Sequence, residues 1–437
     1  MKIAKICRRL LLASGLGLAP LPVIADSLPI ARAEALALAH DSGYTSLIGQ
    51  SKALADKATA DSQLPDPMIS LGWLNVPVED FNLGQEPMNQ IRVAVKQTFP
   101  AGDSRALKKD SVLAAANAKG SEATVRHLSV LEQTRKRWLE AQYAESALAI
   151  VNRIDPLFAQ LRDVTRSLYG TGKKSLNDVV RAELEFQRLQ DRKVVLDENA
   201  GKQRAMLARW VGSTAADDAI PASLPDWNFA MTAKSSFAGR LLDHPSVVTF
   251  NQKVDQMRAN VALARQQYKP SWSLEVGYAF RNARRANGAE VSDLASIGAS
   301  MNLPLFTANR QDKSVAAAEA QLSATLDARL DLINALDSRL AGELVRLEKL
   351  NERIALHKSL IVPQARQQSQ SALLAYESGQ ADFAEVMRSR IALLDTLLAL
   401  RRLETDRLET ISSIWYLLPP PGDQAIAAAM PGAQHEQ

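Results

Sequence analysis

The chain has very little cysteine, and this scarcity excludes several kinds of site. Its one cysteine, Cys7, lies before an apolar stretch rather than at its end, so it is not placed for bacterial lipid attachment. The rest of the chain can form neither a disulfide nor a thiol nucleophile. The histidines are dispersed and lack the i, i+4 spacing of zinc ligands. No phosphate-binding loop or Ser-His-Asp order stands out. We therefore expect no metal site, no cofactor and no enzymatic activity.

Long apolar runs are also scarce, apart from one near the N-terminus. Residues 10–21 form an apolar stretch that follows a basic head and precedes a candidate cleavage site at Val23-Ile24-Ala25. This order predicts a secretory signal peptide over residues 1–25. The alternative, a membrane anchor, is disfavoured because the run is short and is broken by Pro20 and Pro22. No later stretch of the sequence predicts a transmembrane helix, so a membrane role would have to come from strands.

The chain has no excess of charge once the signal segment is set aside. It contains 52 basic and 48 acidic residues. The surplus consists of Lys2, Lys5, Arg8 and Arg9, in a segment without acidic residues. An exported chain of zero net charge gives no indication of nucleic-acid binding.

The chain contains an internal repeat. Two prolines within helical patterns recur at one constant spacing, together with an aromatic residue and a glycine. A proline costs about 3 kcal/mol in a helix interior, so this coincidence indicates two copies of one unit. We predict a first repeat over 26–212, a linker over 213–234, a second repeat over 235–418 and a disordered tail over 419–437. The recurring residues are Phe99, Pro156, Tyr169 and Gly172, which reappear as Phe306, Pro363, Tyr376 and Gly379.

Most of each repeat has the pattern of long helices. Residues 104–168 and 310–376 each predict one helix of roughly 100 Å, at ~1.5 Å per residue. Helices of this length need neighbours along their whole length, as in a coiled coil or a helical barrel. Two shorter helices per repeat together match the long one. They are predicted at 30–62 and 176–211, and at 235–267 and 383–417.

Two hairpins of alternating strands complete the pattern. Apolar and polar residues alternate over 271–280, and shorter alternations occur near residues 69–74, 91–96 and 297–303. Apolar-out, polar-in strands of about ten residues are typical of outer-membrane barrels. The alternative is a half-buried hairpin of a soluble protein. Four strands cannot close a barrel, and open edges are not allowed in lipid. Three chains, with 12 strands, could close one.

Together, the hairpins, long helices, broken helices and signal peptide resemble the TolC family of outer-membrane efflux factors. The segments after the long helices, 168–179 and 376–386, resemble the helical-hairpin tips of that family. The resemblance implies a mainly helical fold with a small β part. It would have two tandem repeats and would form a trimeric 12-stranded β-barrel continued by an α-helical barrel. It also implies that the tips dock with a periplasmic adaptor, through Tyr169, Gly170, Gly172, Tyr376, Ser378 and Gly379.

A narrower resemblance concerns the residues that flank the first hairpin. The segments Pro65-Asp66-Pro67-Met68 and Gln97-Thr98-Phe99-Pro100 resemble the branch associated with heavy-metal efflux of the cobalt-zinc-cadmium and copper type. This implies an inner-membrane pump of the RND type as a partner. Many copper-type relatives carry a lipid on an N-terminal cysteine. This chain lacks that cysteine, so its anchoring in outer-membrane lipid would rest on the barrel.

Four charged residues after the tips are candidates for a gate. Asp178 and Glu385 are equivalent in the two repeats, and in a trimer each would form a ring of three carboxylates that favours cations. Arg181 and Arg388 could pair with these acids and hold the tip closed. The alternative is that all four are solvated charges, with the acids at helix N-termini, where they are favoured in any case.

The sequence thus predicts an outer-membrane channel of a tripartite efflux system, with a periplasmic helical domain, that passively conducts substrate, with heavy-metal cations as the expected cargo. Two alternatives stay open at this point. One is drug, dye or type I protein export through the same architecture, and the other is a periplasmic coiled-coil scaffold without a pore.

Overall fold

The computed structural model describes residues 27–79, 81, 84, 86–229, 237–285, 287–420 and 423. The predicted signal peptide, residues 1–25, lies outside the described residues. So does the predicted tail beyond Pro420, except for Asp423.

The chain is mainly helical, and its elements occur in the order that the two repeats predict. The first repeat contains four helices and a hairpin, and the second follows the same order after a short helix in the predicted linker. Within the described residues, no helix combines the length and the apolar character needed to cross a bilayer. The helices are α1 (Ile30–Ala39), α2 (Ser42–Asp61), α3 (Ser104–Gly170), α4 (Leu176–Val211), α5 (Ser213–Ala216), α6 (Ala238–Leu242), α7 (Pro245–Gln266), α8 (Gln311–Leu356), α9 (Val362–Glu377) and α10 (Phe383–Leu417).

The two long helices are equivalent in length but differ in one detail. Helix α3 runs for 67 residues with Pro156 in its interior. In the second repeat, α8 and α9 are joined by a π-helical turn, His357–Ile361, directly before Pro363. A proline cannot donate a hydrogen bond to the preceding turn, and the chain there adopts a wider turn in which the Ser359 hydroxyl donates to the Ala355 carbonyl at 2.8 Å. The long helix predicted at 310–376 is therefore continuous but not uniformly α-helical.

The helices predicted at 30–62 and 235–267 are each divided in two, so the prediction of single helices there was wrong. The carboxylate of Asp41 accepts hydrogen bonds from the backbone N–H groups of Gly43 and Tyr44 and so begins α2 as an N-cap. In the second repeat, the His244 ring accepts from Ser246 N–H, and Pro245 occupies the first turn of α7. A new N-terminus at these positions ends the preceding helix.

The four strands form one antiparallel sheet in the order β1-β2-β3-β4. The central junction between β2 and β3 joins the two repeats and includes a stacked pair, Phe99 and Trp272, with ring centroids 4.3 Å apart. Most large apolar side chains of the sheet are exposed to solvent in the single chain, and Ile297 is 77% exposed. The strands are β1 (Met68–Leu74), β2 (Gln90–Phe99), β3 (Ser271–Phe280) and β4 (Leu294–Asn302).

A buried arginine holds the predicted linker and the end of the chain against the helices. Arg135, on α3, forms ion pairs with Glu34 at 2.7 Å and with Asp423 at 3.0 Å. Its guanidinium also lies over the rings of Trp227 and Trp415. This site connects α1, α3, α10 and the linker in one apolar cluster. Asp423 thus forms an ion pair with Arg135, although it belongs to the segment predicted to be disordered.

Candidate functional site

The first candidate tip, predicted at residues 168–179, reverses the chain at a helix end that depends on a glycine. Gly172 has a φ of 72°. Its N–H donates to the Tyr169 carbonyl at 2.9 Å, and the Lys173 N–H donates to the Leu168 carbonyl at 2.9 Å. This pair of hydrogen bonds is a Schellman motif, which places a left-handed residue directly after the helix. Gly172 thus occupies the left-handed region that glycine adopts most readily.

The second candidate tip, predicted at residues 376–386, has the same geometry. Gly379 has a φ of 78°. Its N–H donates to the Tyr376 carbonyl at 3.1 Å, and the Gln380 N–H donates to the Ala375 carbonyl at 2.8 Å. A side chain at either glycine would meet no other atom within 4 Å, so the backbone conformation alone requires glycine. The two tips therefore end their long helices in the same way.

The return helices begin with different caps. Ser175 and Asp178 form a capping box, in which Ser175 Oγ accepts from Asp178 N–H and Asp178 Oδ2 accepts from Ser175 N–H at 3.2 Å. At the second tip, Asp382 is the cap and accepts from Glu385 N–H at 2.8 Å. The carboxylate of Asp178 is therefore turned onto its own helix end, whereas that of Glu385 is not used for capping.

This difference extends to the two candidate gate arginines. Arg388 Nη2 donates to Glu385 Oε2 at 2.7 Å, and this exposed ion pair joins residues about one helical turn apart. Within the part of the chain that the structure describes, Arg181 forms no ion pair, and Asp178 Oδ2 instead accepts from the Ser175 hydroxyl at 2.9 Å. An exposed pair of this kind contributes between about 0 and 1 kcal/mol. The gate role of these four residues stays a prediction.

The tyrosines of the two tips lie in different environments. Tyr169 is 45% exposed, whereas Tyr376 is 1% exposed. The Tyr376 hydroxyl and Thr165 Oγ1 are 3.2 Å apart, and Phe383 packs edge-on against the tyrosine ring. Burial raises the pKa of Tyr376 above its usual value of 10.0. Tyr376 thus packs in the core between the helices that carry the tips, whereas the Tyr169 side chain lies at the surface.

Lys174 connects the tips to each other and was missed at the sequence level. Its ammonium lies 4.4 Å from the centre of the Tyr376 ring, so a residue of the first tip covers the tyrosine of the second. Thr165 and Phe383 were missed too, because their role depends on how α3, α9 and α10 pack. The Ser175–Asp178 capping box, in contrast, has a sequence signature that could have been found.

The order of the elements and the two hairpin tips define a TolC-like fold, as comparison with solved structures shows. CusC is 15% identical, with a TM-score of 0.73 over 89% of this chain and 91% of its own. VceC of Vibrio cholerae is 17% identical, with a TM-score of 0.73 over 89% and 95%. CmeC of Campylobacter jejuni is 12% identical, with a TM-score of 0.75 over 93% and 90%. At these identities the likeness concerns the fold.

The sequence itself gives an independent match. Residues 240–415 match the family described as outer membrane efflux protein. No curated protein matches the chain significantly. The family and these neighbours are described as outer-membrane efflux proteins or channels rather than as enzymes. The mainly helical TolC-like fold predicted from the sequence is therefore confirmed.

Proposed function

We propose that the chain is one subunit of a homotrimeric outer-membrane channel in a tripartite efflux system. Three four-stranded sheets form a 12-stranded barrel, and the long helices continue it as a tunnel across the periplasm. The channel conducts passively. The tips dock with a periplasmic adaptor, and an inner-membrane RND pump supplies the energy.

One observation carries this proposal: a sheet with an exposed apolar face continues directly into two helices of great length. At ~1.5 Å per residue, the 67 residues of α3 span roughly 100 Å. The side chains that alternate with the apolar ones are polar or small, and Arg92 pairs with Glu275 at 2.6 Å on that second face. An apolar outer face and a polar inner face are what a strand needs in a barrel that holds water.

The tips are the proposed adaptor-docking and gating region. Tyr169, Gly170, Gly172, Ser378 and Gly379 are exposed and form the docking surface, and Tyr376 supports it from below. In the trimer, Asp178 and Glu385 form two carboxylate rings. The Glu385–Arg388 pair can open without disturbing a helix cap, whereas Asp178 contributes to one, which makes Glu385 the more mobile carboxylate of the two.

Heavy-metal cations are the proposed cargo. This part rests on the resemblance of the segments 65–68 and 97–100 to the metal-efflux branch. These segments lie together at one end of the sheet, where Gln97 Nε2 donates to the Pro65 carbonyl at 2.8 Å. A channel need not bind its cargo tightly, since conduction requires sites that release the ion.

The channel assignment is tested with the purified protein. We expect heat-sensitive oligomers in outer-membrane fractions and discrete conductance steps in planar bilayers. A fully soluble protein without conductance would instead identify the periplasmic scaffold.

The cargo is tested by growth of a deletion strain on zinc, cobalt, cadmium, nickel, copper and silver, and on dyes and antibiotics. We expect sensitivity to metals that the intact gene restores. Sensitivity confined to dyes or antibiotics would leave the channel standing and would reject the metal cargo.

A further inference from the structure

The four strands, all of whose residues the structure describes, contain three charged residues that lie together on one face. They are Arg92 and Lys96 on β2 and Glu275 on β3. Arg92 and Lys96 are four residues apart and therefore point to the same side. Lys96 lies directly opposite Glu275 in the ladder, so all three belong to the face that is turned away from the apolar one. Two positive charges and one negative charge leave this face with a net charge of +1 in each chain.

The negative charge of this face is already paired with Arg92. Arg92 Nη2 donates to Glu275 Oε1 at 2.6 Å and to Ser296 Oγ at 3.4 Å, so its side chain crosses β3 toward β4. A side chain at Gly277 would place its Cβ 3.0 Å from Arg92 Nε and 2.9 Å from Ser296 Oγ. The glycine thus leaves the space through which the arginine crosses. Arg92 and Glu275 neutralise each other in a charge-assisted hydrogen bond.

Lys96 is left as the unbalanced charge of this face. Among the residues that the structure describes, none forms an ion pair with Lys96. Its two neighbours across the ladders are Glu275, which is paired with Arg92, and Met68, which carries no charge. The net charge of +1 is therefore located at the Lys96 ammonium group.

We propose that Lys96 makes the barrel of the proposed channel selective for small anions such as chloride and inorganic phosphate. Three copies place three ammonium groups in one ring, close to the end of the sheet that continues into α3. Rings of lysine or arginine side chains favour anions in a pore. This inference rests on the proposed function, and it adds which small ions the barrel admits most readily while they share the tunnel with the cargo.

The width of the barrel decides whether three charges act on an ion at its axis. Strands about 4.8 Å apart and tilted by about 40° give 12 strands a backbone radius of roughly 12 Å. The lysine side chains extend inward from this radius. The screening length is about 30 Å in 10 mM salt and about 3 Å in 1 M salt. The field of the ring therefore fills the cross-section at low salt and is lost at high salt.

The tips of the proposed channel carry charge of the opposite sign. Asp178 and Glu385 form carboxylate rings there, whereas Lys96 forms a ring of ammonium groups in the barrel. The length of α3, roughly 100 Å, separates the two regions. This distance is about three times the screening length in 10 mM salt, so a substitution in the sheet changes the selectivity of the barrel without changing that of the tips.

The reversal potential of the purified channel in planar bilayers tests the ring. In a gradient of potassium chloride around 10 mM, we expect Lys96→Gln to lower the ratio of chloride to potassium permeability by roughly 3- to 10-fold. Glu275→Gln leaves Arg92 without its counter-charge and should raise the ratio, while Lys96→Arg should preserve it. These differences should disappear at about 1 M salt. Because Glu275→Gln acts in the opposite direction, it tests the ring even if Lys96→Gln does not reach the membrane.

The double variant Arg92→Gln/Glu275→Gln is the matched control. It removes two charges from the same face but preserves its net charge, so its permeability ratio should equal that of wild type. A wild-type ratio in Lys96→Gln and Glu275→Gln channels would overturn the inference and leave the channel intact. Equal changes in Lys96→Gln and in the control would overturn it too, because packing rather than net charge would then set the ratio. An unmodified protein without conductance would mean that the proposed function itself had failed.

Discussion

At the scale of single residues, one glycine at each tip sets the direction in which the chain leaves its long helix. Gly172 and Gly379 have φ values of 72° and 78°, in a region that costs other residues roughly 1–2 kcal/mol. We predict that Gly379→Ala loosens the second tip and increases amide hydrogen exchange over residues 374–385 by about 5- to 30-fold, as 1–2 kcal/mol implies.

Gly170 provides a matched control for this prediction. It ends α3 in helical conformation and also has open space around it. Gly170→Ala should therefore be neutral or stabilising by about 0.5–1 kcal/mol. If Gly170→Ala increased hydrogen exchange at the first tip as much as Gly379→Ala does at the second, the positive φ would not be what constrains the tip.

A second residue-scale prediction concerns a buried carboxyl group between α3 and α10. Burial beside Glu140 raises the pKa of Glu409 from 4.5 to about 7, although Arg402 lies nearby. The folded state thus holds this proton more tightly than the unfolded chain. The resulting stability is fully present below pH 4.5 and is lost as the pH rises through 7. The Glu140 pKa is lowered, with Arg402 as its ion-pair partner at 2.9 Å, so its own contribution has the opposite sign.

We predict that Glu409→Gln removes this loss. Between pH 4.5 and 7, the free energy of unfolding of the variant should rise relative to wild type by roughly 1–3 kcal/mol. The measurement is a series of unfolding curves across this range. Glu198→Gln, on the exposed surface of α4, is the control and should follow wild type. A constant difference between Glu409→Gln and wild type would contradict the assignment.

At the scale of elements, some boundaries could be predicted and others could not. Helices α4 and α10 begin and end where the sequence predicts, because their N-caps, Ser175 and Asp382, are local signals. The division of the helices predicted at 30–62 and 235–267 was missed, although Asp41 and Pro245 are also local signals, since the apolar pattern continues across both breaks.

The π-helical turn and the different burial of the two tip tyrosines could not be predicted from the sequence. Pro156 and Pro363 are equivalent, yet only the second is preceded by a π-helical turn among the described residues. Tyr169 and Tyr376 are equivalent as well, yet one is exposed and the other buried. A tandem repeat predicts equal local structure, whereas burial depends on which neighbour each copy meets in the folded chain.

Arg135 gives a prediction at the scale of packed elements. Its side chain joins Glu34, Asp423 and two tryptophan rings. Removal would leave two partly buried carboxylates without this partner, and breaking a buried pair in this way costs up to about 3–5 kcal/mol. We predict that Arg135→Ala lowers the free energy of unfolding by up to this amount, as measured by denaturant unfolding curves of the variant and the wild type.

Arg137, on the same helix, is the matched control. Its side chain makes a long contact of 3.7 Å with the Met206 sulfur, and Arg137→Ala should change stability by less than about 1 kcal/mol. Equal losses in the two variants would show that Arg135 acts through the length of its side chain and not through its ion pairs.

At the scale of the whole molecule, the two faces of the sheet must meet different solvents if the chain is a channel. Ile297 lies on the apolar face, and its neighbour Gly298 lies at the same depth on the opposite face, opposite Glu275. A side chain at Gly298 would enter open space. An arginine facing lipid at mid-depth costs about 2–4 kcal/mol, whereas an arginine facing a water-filled interior costs little.

We therefore predict that Ile297→Arg sharply reduces the amount of heat-sensitive oligomer in the outer membrane, while Gly298→Arg leaves it near the wild-type amount. The measurement is the oligomer content of membrane fractions at matched expression. If the sheet were instead an exposed hairpin of a periplasmic scaffold, both faces would meet water and the two variants would behave alike. The pair thus tests the orientation of the sheet, on which the channel depends, without requiring that its cargo be known.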